Sequence, residues 1–208
     1  MPVLAPDWTH TASRRTTPYR WLTTEPGRLY DHDTAARLAA AFPHEDFVRL
    51  DASGAGRDKT YRNYSRPLLG PGQQIPPGLP APWHELVTDL AGEPYRRQVA
   101  ALLDQPLAGA VEIRLVRHAD TDWLGPHTDR ADKLFSHVLY FNPGWQQEWG
   151  GCLEILDGND PGAVHARVVP LLGASTLLAR SDHSWHQVGA VTAGQGRERR
   201  SLVVHGLG

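Results

Sequence analysis

The chain changes texture near residue 106. Beyond that point short apolar or alternating runs follow one another: AVEIRLVR (110–117), FSHVLYFN (135–142), CLEILD (152–157), VHARVVPL (164–171), STLLAR (175–180), HQVGAV (186–191) and RSLVVHG (200–206). Each is bounded by Gly, Pro, Asp or Asn, and none is separated from the next by a helical period. Such a series predicts an antiparallel sandwich or barrel over 106–208. Before it the periodicity is helical. DTAARLAAAF, from Asp33 to Phe42, joins an acidic start to strong helix formers and is stopped by Pro43, while WHELVTDLAG and PYRRQVAALLD predict two short helices. FVRLDAS is a candidate strand. The following YRNYSRPLLGPGQQIPPGLPAP carries six prolines between 67 and 82 and predicts a long loop, either a surface connector or a lid. Residues 1–20 show no sustained period and are expected as a mobile arm or an edge segment. The expected organisation is one domain, 1–208, with an arm over 1–20, a helical support and loop region over 21–105 packed on one outer face, and the β core over 106–208.

A length of 208 residues allows a core that needs no covalent staples. With 21 basic and 23 acidic residues the net charge of −2 gives no nucleic-acid footprint, so small-molecule partners are expected and nucleic acid is not. Cys152, the single cysteine, cannot form an internal disulfide, and no apolar run of membrane-spanning length is present. A cytoplasmic protein with no membrane association is the expectation, and oligomeric state is left open. Of eleven histidines, six fall between 118 and 186, which directs the search for chemistry to that stretch.

Three His-x-Asp tripeptides occur: His44/Asp46, His118/Asp120 and His127/Asp129. In extended backbone residues i and i+2 project to one side, so each pair could hold one ion from one direction. His44/Asp46 follows a proline-stopped helix far from the β-rich half and reads as a solvated turn. His118/Asp120 opens the turn-like HADTDWLG, and His127/Asp129 lies at the other end of that connection, just before a strand. RSDHSWHQVGAV supplies a third ligand, either His183 in a polar turn or His186 at the start of a strand, and His186 is preferred. Two imidazoles and a carboxylate on one face of an octahedral ion leave positions open, the arrangement associated with non-haem Fe(II) oxygenases. A closed zinc site would need four ligands, usually thiolates. Further on, GRERRSLVVHG places Arg199 and Ser201 two apart on a strand, so that a guanidinium fork and a hydroxyl share a face suited to a carboxylate.

The ordered blocks GPHTD, HVLYFNPGWQQEWGGCLEIL, SWHQV and RRSL resemble the Fe(II)/2-oxoglutarate-dependent dioxygenase superfamily, in its prolyl-hydroxylase-like branch, over roughly 110–206. The resemblance implies a double-stranded β-helix, a cupin-like jelly roll, with Fe(II) held by His127, Asp129 and His186. It implies that 2-oxoglutarate is bound by Arg199 with Ser201, and by Tyr140 of LYFN unless that ring only fills the barrel. Gly150-Gly151 matches the tight turn that leads into the next strand. Where many relatives carry a tyrosine about ten residues before the first iron histidine, this chain has Arg117, which is free to meet an acidic substrate group instead. His118, Trp123, Arg130 and Trp185 flank the ligand segments and join Arg117 as candidate substrate contacts. No acid or base is expected beyond the metal ligands. The implied activity consumes O2, releases succinate and CO2, is supported by ascorbate, and hydroxylates an unactivated C–H of a small molecule such as an amino acid or natural-product intermediate. Two alternatives stand beside it: a peptidyl or protein prolyl hydroxylase, and a cupin-like barrel that binds metal or ligand without oxidation.

Overall fold

The computed structural model describes residues 2–54, 59–107, 109–194 and 196–208. In chain order their elements are β1 (Ser13–Arg15), β2 (Trp21–Thr24), α1 (His32–Ala40), β3 (Val48–Asp51), β4 (Tyr61–Leu69), α2 (Ala81–Ala91), α3 (Glu93–Leu103), β5 (Val111–His118), β6 (Trp123–His127) and β7 (Lys133–Tyr140). They continue with β8 (Leu153–Leu156), β9 (Val164–Val168), β10 (Ser175–Ala179), β11 (His186–Val188) and β12 (Arg199–Leu207). The strands form a curled antiparallel sheet in the order β1-β2-β10-β7-β12-β5-β4-β6-β11-β8-β9, with β3 beside β4. This is a double-stranded β-helix, as the sequence resemblance implied. β4 links its two layers, because Tyr61 and Arg62 pair with Leu124 and Trp123 of β6 whereas Tyr64 to Leu69 pair with β5.

Strand alternation separates two interiors. Val111, Ile113 and Leu115 of β5, Phe135 and Leu139 of β7, Leu177 of β10, and Leu202 and Val204 of β12 face outward onto the helices and form the main core with Trp83, Leu86, Leu90, Tyr95 and Val99. The intervening residues face the inside of the curl. There Trp21, Leu153, Ile155, Leu178 and Val188 close one part with an apolar cluster, and polar side chains line the rest.

Several boundaries differ from the sequence expectation. α1 begins one residue earlier, because the Asp31 side chain accepts from the Thr34 N–H at 2.6 Å and caps it, and it ends at Ala40 before Pro43 is reached. The proline-rich stretch is not loop throughout. β4 runs through Pro67 as far as Leu69, with an irregularity between Pro67 and Leu69 that tolerates the missing N–H, and Pro82 sits in the first turn of α2. β6, read as part of a turn, is a strand despite Pro126. Residues 2–20 take the edge role rather than that of a mobile arm: β1 borders the sheet through β2, and Trp8 is 1 % exposed, stacks on His137 at 5.4 Å and donates to Gln98 at 2.9 Å.

His137 also anchors a buried polar chain. Its Nδ1 meets the Tyr95 hydroxyl and its Nε2 the Ser175 hydroxyl, both at 2.8 Å, and Ser175 meets Thr24 at 2.7 Å. Burial pushes His137 down to about 3. An unfolded histidine takes up its proton near pH 6.5 while the folded one does not, so the contribution of neutral His137 is full above that pH and is lost progressively as pH falls toward 3. Unfolding free energy is therefore expected to drop by about 1.4 kcal/mol per pH unit for this group between about pH 6 and 4. In His137→Asn, chemical denaturation across that window should show a weaker stability overall and a shallower pH dependence; an undiminished slope would show that His137 is not the group responsible.

Candidate metal centre and active site

β6 and β11 pair antiparallel with His127 directly opposite His186. The two rings lie 4.2 Å apart between centroids. His127 Nδ1 donates to the Gly125 carbonyl at 3.0 Å and His186 Nδ1 to the Ser184 carbonyl at 2.9 Å. A carbonyl can only accept, so each Nδ1 carries the proton and each Nε2 presents a lone pair. Burial pushes both imidazoles below their ordinary value, His127 further because His186 stands beside it, which keeps them in the neutral form that can bind a cation. Asp129 follows β6, and ligand atoms of His127, Asp129 and His186 all lie within 4.8 Å of one another.

The Asp129 carboxylate is held from behind. Oδ1 accepts from Lys133 Nζ at 3.0 Å and Oδ2 from Ser136 Oγ at 2.5 Å. Ser136 in turn accepts from His205 Nδ1 at 2.7 Å, and His205 Nε2 accepts from Lys133 Nζ at 3.1 Å. All four groups are consistent with one assignment, a charged lysine and a neutral His205 protonated on Nδ1. Burial pushes the Asp129 carboxyl up, but the adjoining His186 ring, Lys133, His205 and the Ser136 hydroxyl outweigh it and hold it well below the usual carboxylate range.

Arg199 is 2 % exposed and stands across from His118 on the neighbouring β5. Its Nε donates to the Gly151 carbonyl at 2.7 Å and its Nη1 to Ser201 Oγ at 3.0 Å, with the Tyr140 ring 5.4 Å below. No carboxylate among the described residues pairs with it. An unpaired buried guanidinium is costly unless a ligand brings the counter-charge. Tyr140 is fully buried and donates to Thr176 Oγ1 at 3.0 Å. The turn that supports Arg199 requires glycine: Gly151 has φ +66, and a Cβ there would stand 3.2 Å from Arg199 Cδ and 3.1 Å from Val191 Cγ2.

The metal set and Arg199 line a cavity of about 330 Å3, whereas Tyr140, expected as a cosubstrate contact, lies behind Arg199 and is not part of the lining. His127, Asp129, His186, Arg199 and Ser201 are all brought to it, with His118 and, at its mouth, Arg130. His118 is 2 % exposed, and neither ring nitrogen has a partner among the described residues. Three other expected substrate contacts are not part of the lining. Arg117 lies on the opposite face of β5 from Val116 and His118, stacks over Phe47 at 4.4 Å and pairs with Glu198 at 3.5 Å, so alternation takes it away from the cavity. Trp123 lies under the Arg62 guanidinium, and Trp185 is half-buried with its carbonyl bonded to Leu156 and Tyr19. His183 is exposed, as are His44 and Asp46, and Asp120 accepts from Gly194. Unexpected in the lining are Lys59, Tyr61, Asn63 and Ser65 from the β4 strand and its approach, Arg114, and the Lys133/Ser136/His205 cluster.

A model of the 2OG-Fe(II) oxygenase superfamily matches residues 113–205, which runs from β5 to β12 and includes every group of the triad and of the Arg199 corner. Over these residues, a little under half of the chain, the sequence is similar to that superfamily. Fe(II), 2-oxoglutarate and O2 are the reagents of that superfamily, and the fit is specific: a buried two-histidine, one-carboxylate set with both Nε2 atoms free, and a buried guanidinium lacking a carboxylate. Solved structures share the fold. A Pseudomonas putida prolyl-4-hydroxylase aligns at 21 % identity over 90 % of this chain and 91 % of its own, with a TM-score of 0.65. A 2OG-Fe(II) oxygenase-family oxidoreductase from Burkholderia pseudomallei aligns at 20 % over 89 % and 84 %, TM-score 0.62. The α-ketoglutarate-dependent epimerase SnoN of nogalamycin biosynthesis aligns at 16 % over 89 % and 78 %, TM-score 0.51. No curated protein matches this chain in sequence. Among the described residues no helix is long and apolar enough to cross a membrane.

Gly151→Ala is expected to destabilise the protein by about 1–3 kcal/mol more than Gly144→Ala in urea unfolding, because both have positive φ but a Cβ at Gly144 meets nothing within 4 Å. Equal losses would show that the Gly151–Arg199 contact has room to spare.

Proposed function

We propose that this chain is a 2OG-Fe(II) oxygenase that hydroxylates an unactivated C–H of a small molecule, with Fe(II) held by His127, Asp129 and His186 and 2-oxoglutarate oriented by Arg199. The observation that carries the reading is the conjunction of an open, buried His-Asp-His set with an unpaired buried guanidinium in one cavity of about 330 Å3. That volume supports a small substrate beside the cosubstrate, rather than a polypeptide segment.

When bound, Fe(II) with 2-oxoglutarate and O2 supplies the oxidising power for the C–H step, with succinate and CO2 as co-products. The rest is done by the chain. The Nδ1–carbonyl bonds of His127 and His186 fix the tautomer and aim both Nε2 atoms at one point. Lys133 and Ser136 hold the carboxylate of Asp129 in its rotamer and keep it ionised. Arg199 binds the distal carboxylate of 2-oxoglutarate with a charge-assisted bond strengthened by burial, and Ser201, its partner at 3.0 Å, keeps the fork in plane. Tyr140 stacks beneath that guanidinium and restrains it from the other side. Leu124, Leu153, Leu178 and Val188 keep water from the reacting end of the cavity.

His127→Ala and Asp129→Ala are expected to abolish 2-oxoglutarate-dependent O2 consumption and to weaken anaerobic Mn(II) binding, followed by electron paramagnetic resonance, by about 10-fold or more; tight Mn(II) binding retained in both variants would refute the ligand set. Arg199→Ala, at about 1.5–3 kcal/mol for the lost bond, should weaken 2-oxoglutarate binding to the Mn(II)-loaded protein by about 10- to 100-fold. An unchanged affinity would remove Arg199 from that role.

A further inference from the structure

The cavity has two cationic poles. Along β12 the residues facing it are Arg199, Ser201, Val203 and His205, opposite His118, Val116, Arg114 and Glu112 of β5 in register. At about 3.3 Å per residue, Arg199 and His205 stand roughly 20 Å apart along the strand. Arg199 forms the inner pole. The outer pole gathers Lys59, Arg114, Arg130 and Lys133 around the Asp129 end, and between the poles lies an apolar belt that includes Val116, Val138 and Val203.

The charges of the outer pole are unevenly matched. Lys133 is spent on Asp129 at 3.0 Å. Arg130 is paired with Asp132 at 2.9 Å, and Glu112 serves Arg114 at 3.3 Å while also standing 3.8 Å from Arg130. Lys59 makes no hydrogen bond or ion pair with any described residue, although most of its side chain is buried. Its ammonium is crowded by Lys133, Arg114 and Arg130, and only the attraction of Asp129 offsets them. A half-buried ammonium that opens into the cavity among three other cations is unfavourable unless an anion arrives. One molecule of 2-oxoglutarate held between Arg199 and the His-Asp-His set has both carboxylates engaged there and leaves the outer pole without a counter-charge.

We propose that the primary substrate is a small organic acid, a carboxylate or a phosphate ester, whose anionic group is held by Lys59 with Arg114 at the Asp129 end of the cavity. This rests on the oxygenase reading and assigns the substrate class that reading leaves open. The acid is anchored at the outer pole, and the C–H to be oxidised is presented beside the His-Asp-His set. The anchor explains why cavity-facing cations gather around a metal-binding end whose own affinity for Fe(II) they diminish.

The test uses wild-type protein with Fe(II), 2-oxoglutarate and ascorbate against matched pairs of small molecules. The pairs are amino acids and hydroxy acids with their primary amides, and sugar phosphates with the parent sugars. Succinate release above the substrate-free level and mass gain of one oxygen, or loss of two hydrogens, are read for each. Acidic members are expected to stimulate and their neutral partners not to, the responding pairs distinguishing carboxylate from phosphate. With the best acid, Lys59→Met should raise KM about tenfold or more with a smaller effect on kcat, and Lys59→Arg should recover most of the loss. Stimulation by neutral partners equal to that of the acids, stimulation by no acid at all, or an unchanged KM in Lys59→Met would each overturn the proposal while leaving the oxygenase reading in place if 2-oxoglutarate is still converted. Failure of wild-type protein to convert 2-oxoglutarate under any condition removes both.

Discussion

The antiparallel pairing that sets His127 opposite His186 is the constraint on which the site depends. Side chains across such a pair lie on the same face of the sheet, so a single register fixes two imidazoles over one point of the interior. A slip of one residue would turn either ring to the other face. The register is held from both sides, since β11 also pairs with β8 through His186 and Ile155, and β6 is tied to β4 through Leu124 and Tyr61. Each ring is then locked by a bond from Nδ1 to the carbonyl two residues before it, the same local device used twice. Asp129 completes the set because the chain leaves β6 just beyond His127, and Lys133, Ser136 and His205 hold the carboxylate toward the rings.

The rest of the sheet divides labour by alternation. On β5, β7 and β12 one parity carries the large apolar residues that bind the helices, and the other carries the polar groups of the cavity. The helical layer therefore stabilises the barrel from outside without occupying its interior. Polar groups do enter that outer layer at His137, where Tyr95, Ser175 and Thr24 satisfy the ring completely. His118 is the contrast. It is equally buried, faces inward, and has no partner among the described residues, as expected of a group placed for a ligand rather than for the fold.

What the sequence made legible follows the same division. Strands with an apolar face, β5, β7, β8, β10 and β12, were readable from their runs, and so were α2 and α3. β4 was not, because Tyr61, Asn63 and Ser65 face the cavity while Arg62 and Tyr64 face outward, so neither parity is apolar and Pro67 reads as a breaker. β6 was masked likewise by Gly125 and Pro126. Missing β4 concealed Lys59 on its approach, although Arg130 of the same pole stood out beside the ligand motif. The motif residues His127, Asp129, His186, Arg199 and Ser201 were legible because their spacing and chemistry repeat a recognisable order, and the structure brings all five to one cavity. Arg117 was misplaced by treating position in the chain as a guide to position in the site, where the parity of β5 decides. Lys133, Ser136 and His205 carried no local signal, since their relation to Asp129 exists only once β7 and β12 are paired.

The central claim is that one register places two histidines and an aspartate around a single cation, with a buried arginine ready for the cosubstrate. An anaerobic crystal structure of the protein with Fe(II) and 2-oxoglutarate tests it most directly. The account predicts iron bound by Nε2 of His127, Nε2 of His186 and a carboxylate oxygen of Asp129, with the distal carboxylate of 2-oxoglutarate on Arg199. Iron bound through His183 or His118, or 2-oxoglutarate held away from Arg199, would contradict it.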